Sequence, residues 1–114
     1  MIYMDMFVGP VLASNKEAYG VYAQKIGALT LQAGALSATA CWGLEQPQGM
    51  VKPLAAAVEL QPGVMLVTRI VRWKSKEARE EGWAELMKNP QMQAASTPMP
   101  FDRTRVLYAG FEEL

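Results

Sequence analysis

Asp5 is the residue in this sequence whose surroundings most suggest chemistry. It lies in the middle of an apolar run over residues 2–9, where an ionised carboxylate is costly to bury unless it is paired. Arg69 lies inside a second apolar run, over residues 64–73, and we expect the two runs to be neighbouring strands with Asp5 and Arg69 paired. The pair would be either a ligand-facing acid with a pKa tuned for proton transfer or a structural ion pair at the core of a dimer.

The absence of histidine limits the chemistry that a site in this chain can perform. It excludes Ser-His-Asp and Cys-His catalysis, a histidine general base and most zinc sites. Asp5, Arg69 and Tyr108 are therefore the candidate catalytic residues, as groups that would orient or deprotonate a substrate. The sequence predicts no metal site and no bound cofactor.

Aromatic residues suggest a second kind of site, a pocket for a flat organic ligand. Trp42, Trp73 and Tyr108 could line such a pocket, although aromatic side chains also pack in cores and interfaces, and packing is the favoured interpretation. Phe101 and Asp102 belong to a Met-Pro-Phe-Asp segment that could close over the mouth of a pocket.

Asp102 and Cys41 also have simpler structural interpretations. Asp102 could cap the turn into the last strand, or bind Arg103 or Arg105. Cys41 is the single cysteine, and a reactive thiol would need a cation or a helix N-terminus nearby. Burial within a strand is the favoured interpretation for Cys41.

Composition predicts one cytoplasmic domain over residues 1–114. Hydrophobic residues make up 51% of the chain, enough for a core of its own. The 11 basic and 11 acidic residues balance, and the lack of a basic stripe argues against a nucleic-acid partner. No apolar stretch is long enough to span a membrane, and the N-terminus lacks the basic region of a secretion signal. One cysteine allows no internal disulfide, which fits a reducing compartment.

Alternation and turn residues predict four strands. They are expected over residues 2–9, 36–44, 64–73 and 104–112, and Pro10 is expected to end the first of them. A short helix or packed arm is expected over residues 54–60, and a polar connection over residues 91–100.

Two helices are expected between these strands. The first begins at Ser14, in a capping box with Glu17, and stops at Gly34. The second is capped by Ser75 and ends before Pro90. Their predicted inner faces are Ala18, Tyr22, Ile26, Leu29 and Ala33 in the first helix, and Ala78, Gly82, Leu86 and Met87 in the second, with Trp83 at the margin.

The order βαββαβ predicts a ferredoxin-like α+β fold, a four-stranded antiparallel sheet with both helices on one face. Both faces of the third strand are mostly apolar, so the sheet face without helices is too apolar to remain exposed. A second copy of the chain is the expected cover. The expected assembly is a homodimer through the sheet face, a dimeric α+β barrel.

Motifs along the chain resemble those of the YbaA-like family of uncharacterised proteins. In chain order they are Tyr3-Met4-Asp5 with Phe7-Val8 and Pro10-Val11, Gly34-Ala35, Cys41-Trp42-Gly43, Ile70-Val71 with Trp73, Ser75, Glu77 and Arg79, Asn89-Pro90-Gln91-Met92, and Met99-Pro100-Phe101-Asp102 with Arg105, Tyr108, Gly110 and Phe111. Leu44 stands where the family usually has an acid, and Arg103 where it usually has glycine. The resemblance implies a dimeric α+β barrel and no particular reaction; other branches of that fold include cofactor-independent monooxygenases and stress-associated proteins.

Three functions fit these observations. The first is a homodimer that binds a small, partly aromatic molecule between sheet and helices or between the two sheets. The second is a cofactor-independent, monooxygenase-like enzyme. The third is a structural or interaction protein with a filled barrel. A cavity beside Asp5 of more than about 300 Å³, the lower end for ligand pockets, would separate the first two from the third.

Overall fold

The computed structural model describes residues 1–44, 54–58, 61–95 and 102–114. The strands are β1 (Tyr3–Leu12), β2 (Ser37–Trp42), β3 (Val64–Trp73) and β4 (Leu107–Glu112). The helices are α1 (Lys16–Gln32), α2 (Lys76–Lys88) and α3 (Pro90–Ala95), with short 3-10 helices at Ala13–Asn15, Leu54–Val58 and Arg103–Arg105. The strands form one antiparallel sheet in the order β2-β3-β1-β4. The predicted ferredoxin-like α+β fold is confirmed.

Strand β1 continues past Pro10 to Leu12, so the prediction that Pro10 ends this strand was wrong. Strand β4 pairs with β1 only from Tyr3 to Val8, whereas β3 pairs along its whole length. Pro10 therefore lies where one edge of β1 has no neighbouring strand among the described residues. A proline is tolerated at such an open edge because no ladder hydrogen bond is lost.

The predicted helix ends were right at three of four places. Gly34 has φ 110°, the left-handed conformation that stops α1. The Ser75 hydroxyl accepts a hydrogen bond from the Ala78 amide (3.0 Å) and caps α2, which ends at Lys88. The capping box from Ser14 does not form, because Ser14 lies inside a 3-10 turn and α1 begins at Lys16.

Helix α3 was not predicted from the sequence. Residues 91–95 were interpreted as part of a polar connection and Pro90 as a helix end, yet Pro90 occupies the first helical position, where its missing N–H costs no hydrogen bond. The Asn89 side chain accepts a hydrogen bond from the Gln91 amide (2.9 Å) at this start. The Asn-Pro pair thus ends one helix and begins the next.

The core lies between the sheet and α1. It contains Val11, Tyr19, Tyr22, Ala23, Ile26 and Val67, with Trp42 packed against it. Within α2, Gly82 and Leu86 are buried as predicted. Met87 is 80% exposed, so its place on the inner face was wrong; it lies one residue, about 100° of helical turn, beyond Leu86. Ala18 of α1 is exposed for a similar reason.

The register places alternate residues of the sheet on two different faces. The helix-covered face carries a row of Ala38, Val71, Asp5 and Gly110 and a row of Ala40, Arg69, Phe7 and Tyr108. The opposite face carries Met4, Met6, Val8, Ile70, Leu107, Ala109 and Phe111, together with the polar residues Ser37, Thr39, Thr68 and Arg72. On this open face Val8 is buried, whereas Leu107 and Phe111 are exposed.

No helix in the described ranges is both long and apolar enough to cross a membrane. Within the same ranges, no group of three acidic or cysteine side chains is placed to hold a metal ion.

Candidate functional site

Asp5 lies at the centre of β1 and points towards the helices. Its neighbours across the sheet are Val71 of β3 and Gly110 of β4. Its accessible surface is 0%, so its carboxylate is wholly removed from solvent. A charge at this depth requires partners for both oxygens.

Four side chains donate hydrogen bonds to the Asp5 carboxylate. The indole Nε1 groups of Trp73 and Trp83 bond to Oδ2 at 2.9 and 2.7 Å. Arg79 Nε lies 2.9 Å from Oδ1 and 3.1 Å from Oδ2, and its Nη2 lies 2.8 Å from Oδ1. The Tyr108 hydroxyl donates to Oδ1 at 2.5 Å and accepts from Arg79 Nη2. The carboxylate is therefore saturated with donors.

The expected Asp5–Arg69 ion pair does not form, and this prediction was wrong. The ion-pair partner of Asp5 is Arg79 of α2. Arg69 lies opposite Phe7, in the next row along the same sheet face, and rows on one face are about 7 Å apart. Sequence reasoning missed Arg79 because a helix residue is brought over β1 only by the packing of α2. The available signal was that Arg79 and Asp5 are both residues of the family motifs.

The location of the site also corrects the sequence interpretation. Asp5 and Arg69 were expected between two sheets, in the core of a dimer. Both lie on the face that the helices cover. In the observed register Asp5 is opposite Val71 and Arg69 is opposite Phe7, and all four side chains are on that face. The space around Asp5 is thus filled by tryptophan, tyrosine and arginine side chains.

The protonation states within this cluster follow from its geometry. Burial raises the pKa of Asp5, but the hydrogen bonds from Arg79, Tyr108 and the two indoles outweigh it and lower that pKa below the ordinary 3.8. Burial, together with the hydrogen bond and charge of Asp5, raises the pKa of Tyr108. Asp5 is consequently a carboxylate and Tyr108 a neutral phenol at neutral pH. Neither group is poised to remove a proton there, which favours the ion-pair interpretation of Asp5.

Two glycines make room for the cluster. A Cβ added at Gly82 would overlap the ring of Trp73, so α2 can approach the sheet only with glycine at this position. A Cβ at Gly110 would lie 3.1 Å from Arg79 Nη2 and 3.5 Å from Asp5 Oδ1. Small residues at these two points therefore let Arg79 and Trp73 reach the carboxylate.

Arg69 lies in an aromatic layer beside this cluster. Its guanidinium stacks over the Phe7 ring, 4.7 Å from the ring centre, and hydrogen-bonds to Tyr22 of α1. The Phe7 ring also contacts Trp83 and Tyr108, with centroids 5.9 and 4.9 Å away. Phe7 thus joins the surroundings of Arg69 to those of Asp5.

A groove of about 520 Å³ opens between α1 and the edge strand β2. Two aromatic side chains, Tyr19 and Trp42, lie in its wall with ring centres 6.2 Å apart, and Lys16 lies over the Trp42 ring. Small residues form much of the rest: Gly20, Ala23, Gly27, Ala28, Ala38 and Ala40. The groove is therefore apolar, with one cation at its edge.

The aromatic side chains that were predicted to line one pocket lie in different parts of the structure. Trp42 lies in the groove, whereas Trp73 is fully buried beneath Gly82 and Tyr108 is on the far edge strand. Cys41 is exposed rather than buried, because β2 is an edge strand. The burial predicted for Cys41 was wrong.

Asp102 takes the structural role considered for it. Its Oδ1 accepts hydrogen bonds from the Thr104 amide (3.0 Å) and hydroxyl (2.7 Å), and Arg105 lies 3.6 Å from Oδ2. These contacts cap the turn that precedes β4. Phe101, and with it the prediction of a loop over a pocket mouth, lies outside the described residues.

Several solved structures have folds similar to that of this chain. At3g17210 from Arabidopsis thaliana has a TM-score of 0.61 and 13% identity, over 100% of this chain and 96% of that one. A point mutant of SnoaB, a cofactor-independent oxygenase from Streptomyces nogalater, has a TM-score of 0.57 and 13% identity, over 98% and 92%. An ethyl tert-butyl ether d (ethd) family protein from Bacillus halodurans has a TM-score of 0.57 and 14% identity, over the whole of both chains. At these identities the likeness concerns the fold alone.

Sequence comparison gives the family. The chain is 35% identical to the uncharacterized protein YbaA of Escherichia coli (strain K12), over 100% of this chain and 97% of that protein. The model of the family described as "Protein of unknown function (DUF1428)" matches residues 2–103. Several motif residues of the predicted resemblance, among them Asp5, Trp73 and Arg79, meet in the cluster described above. This chain belongs to the DUF1428 family.

Proposed function

We propose that this protein is a homodimer that binds a small, partly aromatic molecule between its sheet and its helices. Side chains fill the space beside Asp5, where a cavity was expected, and the observation that carries the proposal is instead the groove between α1 and β2. Its volume of about 520 Å³ lies within the range of about 300–1,000 Å³ found for small-molecule sites. Tyr19 and Trp42 offer aromatic faces to a flat ligand, and the small residues opposite them leave room for it.

The dimer is proposed from the open face of the sheet. Met4, Met6 and Ile70 lie side by side at its centre, and Leu107 and Phe111 of β4 are exposed at its edge. A mostly apolar sheet face of this kind is unfavourable in water. A second copy, packed face to face about a two-fold axis, would cover it with the same residues.

Binding is tested with two probes, 2-naphthamide and 2-naphthoate, which share one flat ring system. We expect at least one of them to shift amide signals of α1 and β2 in ¹H–¹⁵N spectra of the full chain. Ala40→Leu adds bulk to the groove wall and should weaken this binding at least tenfold. Ala84→Leu is the matched control, because it makes the same change at an exposed position of α2 that does not line the groove.

Two results would contradict the proposal. One is the absence of any shift with either probe, which would favour the structural protein with a filled barrel. The other is equal weakening by Ala40→Leu and Ala84→Leu, which would mean that the groove is not where the probes bind.

The second candidate is a cofactor-independent, monooxygenase-like enzyme. It is supported by the fold shared with SnoaB, a cofactor-independent oxygenase, and by the cation Arg69 in the aromatic layer, which could stabilise an anionic form of a substrate. Oxygen uptake with an electron-rich naphthol, abolished by Arg69→Met, would support this candidate. Binding without oxygen uptake would leave the first proposal as the better one.

A further inference from the structure

We infer that Arg69 is an anion-binding residue, and that the molecule bound between sheet and helices carries a carboxylate or another planar oxyanion. This inference rests on the function proposed above and adds the chemical class of the ligand. The Arg69 side chain is the feature that supports it.

The hydrogen-bonding edge of Arg69 is incomplete. Its Nε and Nη1 atoms are buried and have no hydrogen-bond partner among the residues that the structure describes. Tyr22 accepts from the guanidinium, and Phe7 covers its face, but a ring face does not satisfy N–H groups that lie in the guanidinium plane. A guanidinium has five N–H donors in a fork that matches a carboxylate in two parallel hydrogen bonds.

The charge of Arg69 also has no ion-pair partner within the described part of the chain. The ion pairs among the described residues join Arg79 to Asp5, Arg72 to Glu113, Lys76 to Glu80 and Arg105 to Asp102, and none includes Arg69. Asp5, the buried carboxylate of the same sheet face, already accepts hydrogen bonds from four side chains. Arg69, Arg79 and Asp5 together therefore leave one positive charge on the helix-covered face of the sheet. Water could satisfy the free N–H groups, but it would not neutralise this charge.

Arg69 lies next to the groove. Its neighbour on β2 is Ala40, which lines the groove, and Cβ atoms of such cross-strand neighbours are about 5 Å apart. Tyr19 belongs to both places, since it lines the groove and lies close enough to Arg69 for the positive charge to affect its pKa. A flat ligand in the groove could thus direct an anionic group beneath α1 towards Arg69.

The test compares 2-naphthoate with 2-naphthamide, which differ in charge and little in shape. In the wild-type protein at pH 7 we expect 2-naphthoate to bind at least tenfold more tightly, measured by calorimetry. Arg69→Met keeps an unbranched, shorter apolar side chain without the charge and should reduce this preference to about twofold or less. Lys16→Met removes the cation at the edge of the groove and should leave most of the preference in place.

The outcomes distinguish this inference from the proposed function. Equal binding of both probes to the wild type would overturn the anion site and keep the groove. A preference that survives in Arg69→Met and disappears in Lys16→Met would assign the anion to Lys16 instead, and would also overturn the inference.

Failure of both probes to bind would contradict the proposed function. A smaller probe would then test whether Arg69 binds an anion. Acetate is titrated while the Arg69 Nε–H signal is followed by NMR, with the signal assigned by its loss in Arg69→Met. A saturable shift supports the anion site, and an unchanged signal overturns it.

The Tm of Arg69→Met distinguishes an anion-binding Arg69 from a purely structural one, because loss of a purely structural Arg69 would lower the Tm. Without ligand, removal of an uncompensated buried charge should leave the Tm of Arg69→Met equal to or above that of the wild type. With saturating 2-naphthoate, the Tm should rise in the wild type and not in Arg69→Met. A clearly lower Tm of the free variant would mean that Arg69 holds the fold together, and would count against the inference.

Discussion

Asp5 of β1 and Arg79 of α2 form an ion pair in which Nη2 lies 2.8 Å from Oδ1 and Nε bonds to both carboxylate oxygens. The carboxylate has no exposed surface, and the Arg79 side chain is only 26% exposed. The pair therefore ties a helix to the central strand of the sheet from within the protein. Trp73 and Trp83 donate to the same carboxylate, so its loss would leave several buried donors without an acceptor.

Asp5→Asn should strongly destabilise the protein. The amide has one acceptor oxygen, and its NH2 group would face donors, so the free energy of unfolding should fall by about 3–5 kcal/mol. Urea unfolding at pH 7, followed by circular dichroism, measures the change. Glu113→Gln is the control, because it breaks the exposed Arg72–Glu113 pair (2.7 Å) and should cost no more than about 1 kcal/mol. Similar losses in the two variants would show that Asp5 is not the main electrostatic contact.

Acid should lower the free energy of unfolding because it protonates Asp5. The pKa of Asp5 is lower in the folded state than its ordinary value of 3.8, so ionised Asp5 stabilises the fold above about pH 4. This contribution is lost as the pH falls through the lowered pKa of the folded state. Unfolding free energies measured from pH 7 down to pH 2 should therefore decline more steeply in the wild type than in Asp5→Asn. Parallel curves below pH 4 would contradict the lowered pKa.

The hydroxyl of Tyr108 should act together with Asp5. It donates to Asp5 and accepts from Arg79, and Tyr108 is about half exposed. Tyr108→Phe should cost about 1 kcal/mol. In a double-mutant cycle with Asp5→Asn, the two changes should be non-additive by at least about 0.5 kcal/mol. Strict additivity would mean that the contact contributes little in solution.

Gly82 and Gly20 should respond in opposite ways to alanine. At Gly82 a Cβ would overlap the Trp73 ring, so Gly82→Ala should destabilise the protein by about 1–3 kcal/mol in spite of the better helix propensity. Nothing lies within 4 Å of a Cβ at Gly20 in α1, so Gly20→Ala should stabilise it by about 0.5–1 kcal/mol. Thermal unfolding of both variants checks this pair, and stabilisation by Gly82→Ala would show that α2 can shift freely.

The proposed dimer should dissociate when a charge is placed at the centre of the open sheet face. Sedimentation at micromolar concentration should give twice the 12.6 kDa of one chain. Ile70→Glu should shift this mass to that of one chain, because the carboxylate would be buried without a partner. Gln32→Glu, at an exposed position of α1, should not. A wild-type protein that sediments as a monomer would refute the dimer.

Local patterns were sufficient to predict the layout of the chain. The β-branched residues in 64–73 predicted β3 at its observed bounds, and the caps at Ser75 and Gly34 were visible as residue types at helix ends. These features depend on backbone conformation and near neighbours, which the sequence states directly. Helix α3 was missed because Asn-Pro is compatible with a helix end as well as a helix start.

The sequence by itself determined that Asp5 needs a partner, since a carboxylate among apolar strand residues cannot stay unpaired. Only the tertiary structure decided that the partner is Arg79 and not Arg69. The register sets Arg69 in the row of Phe7, and the packing of α2 across β1, made possible by Gly82, brings Arg79 over the carboxylate. Contacts between distant segments depend on how helix and sheet fit together, and that fit is not encoded in the spacing of either segment alone.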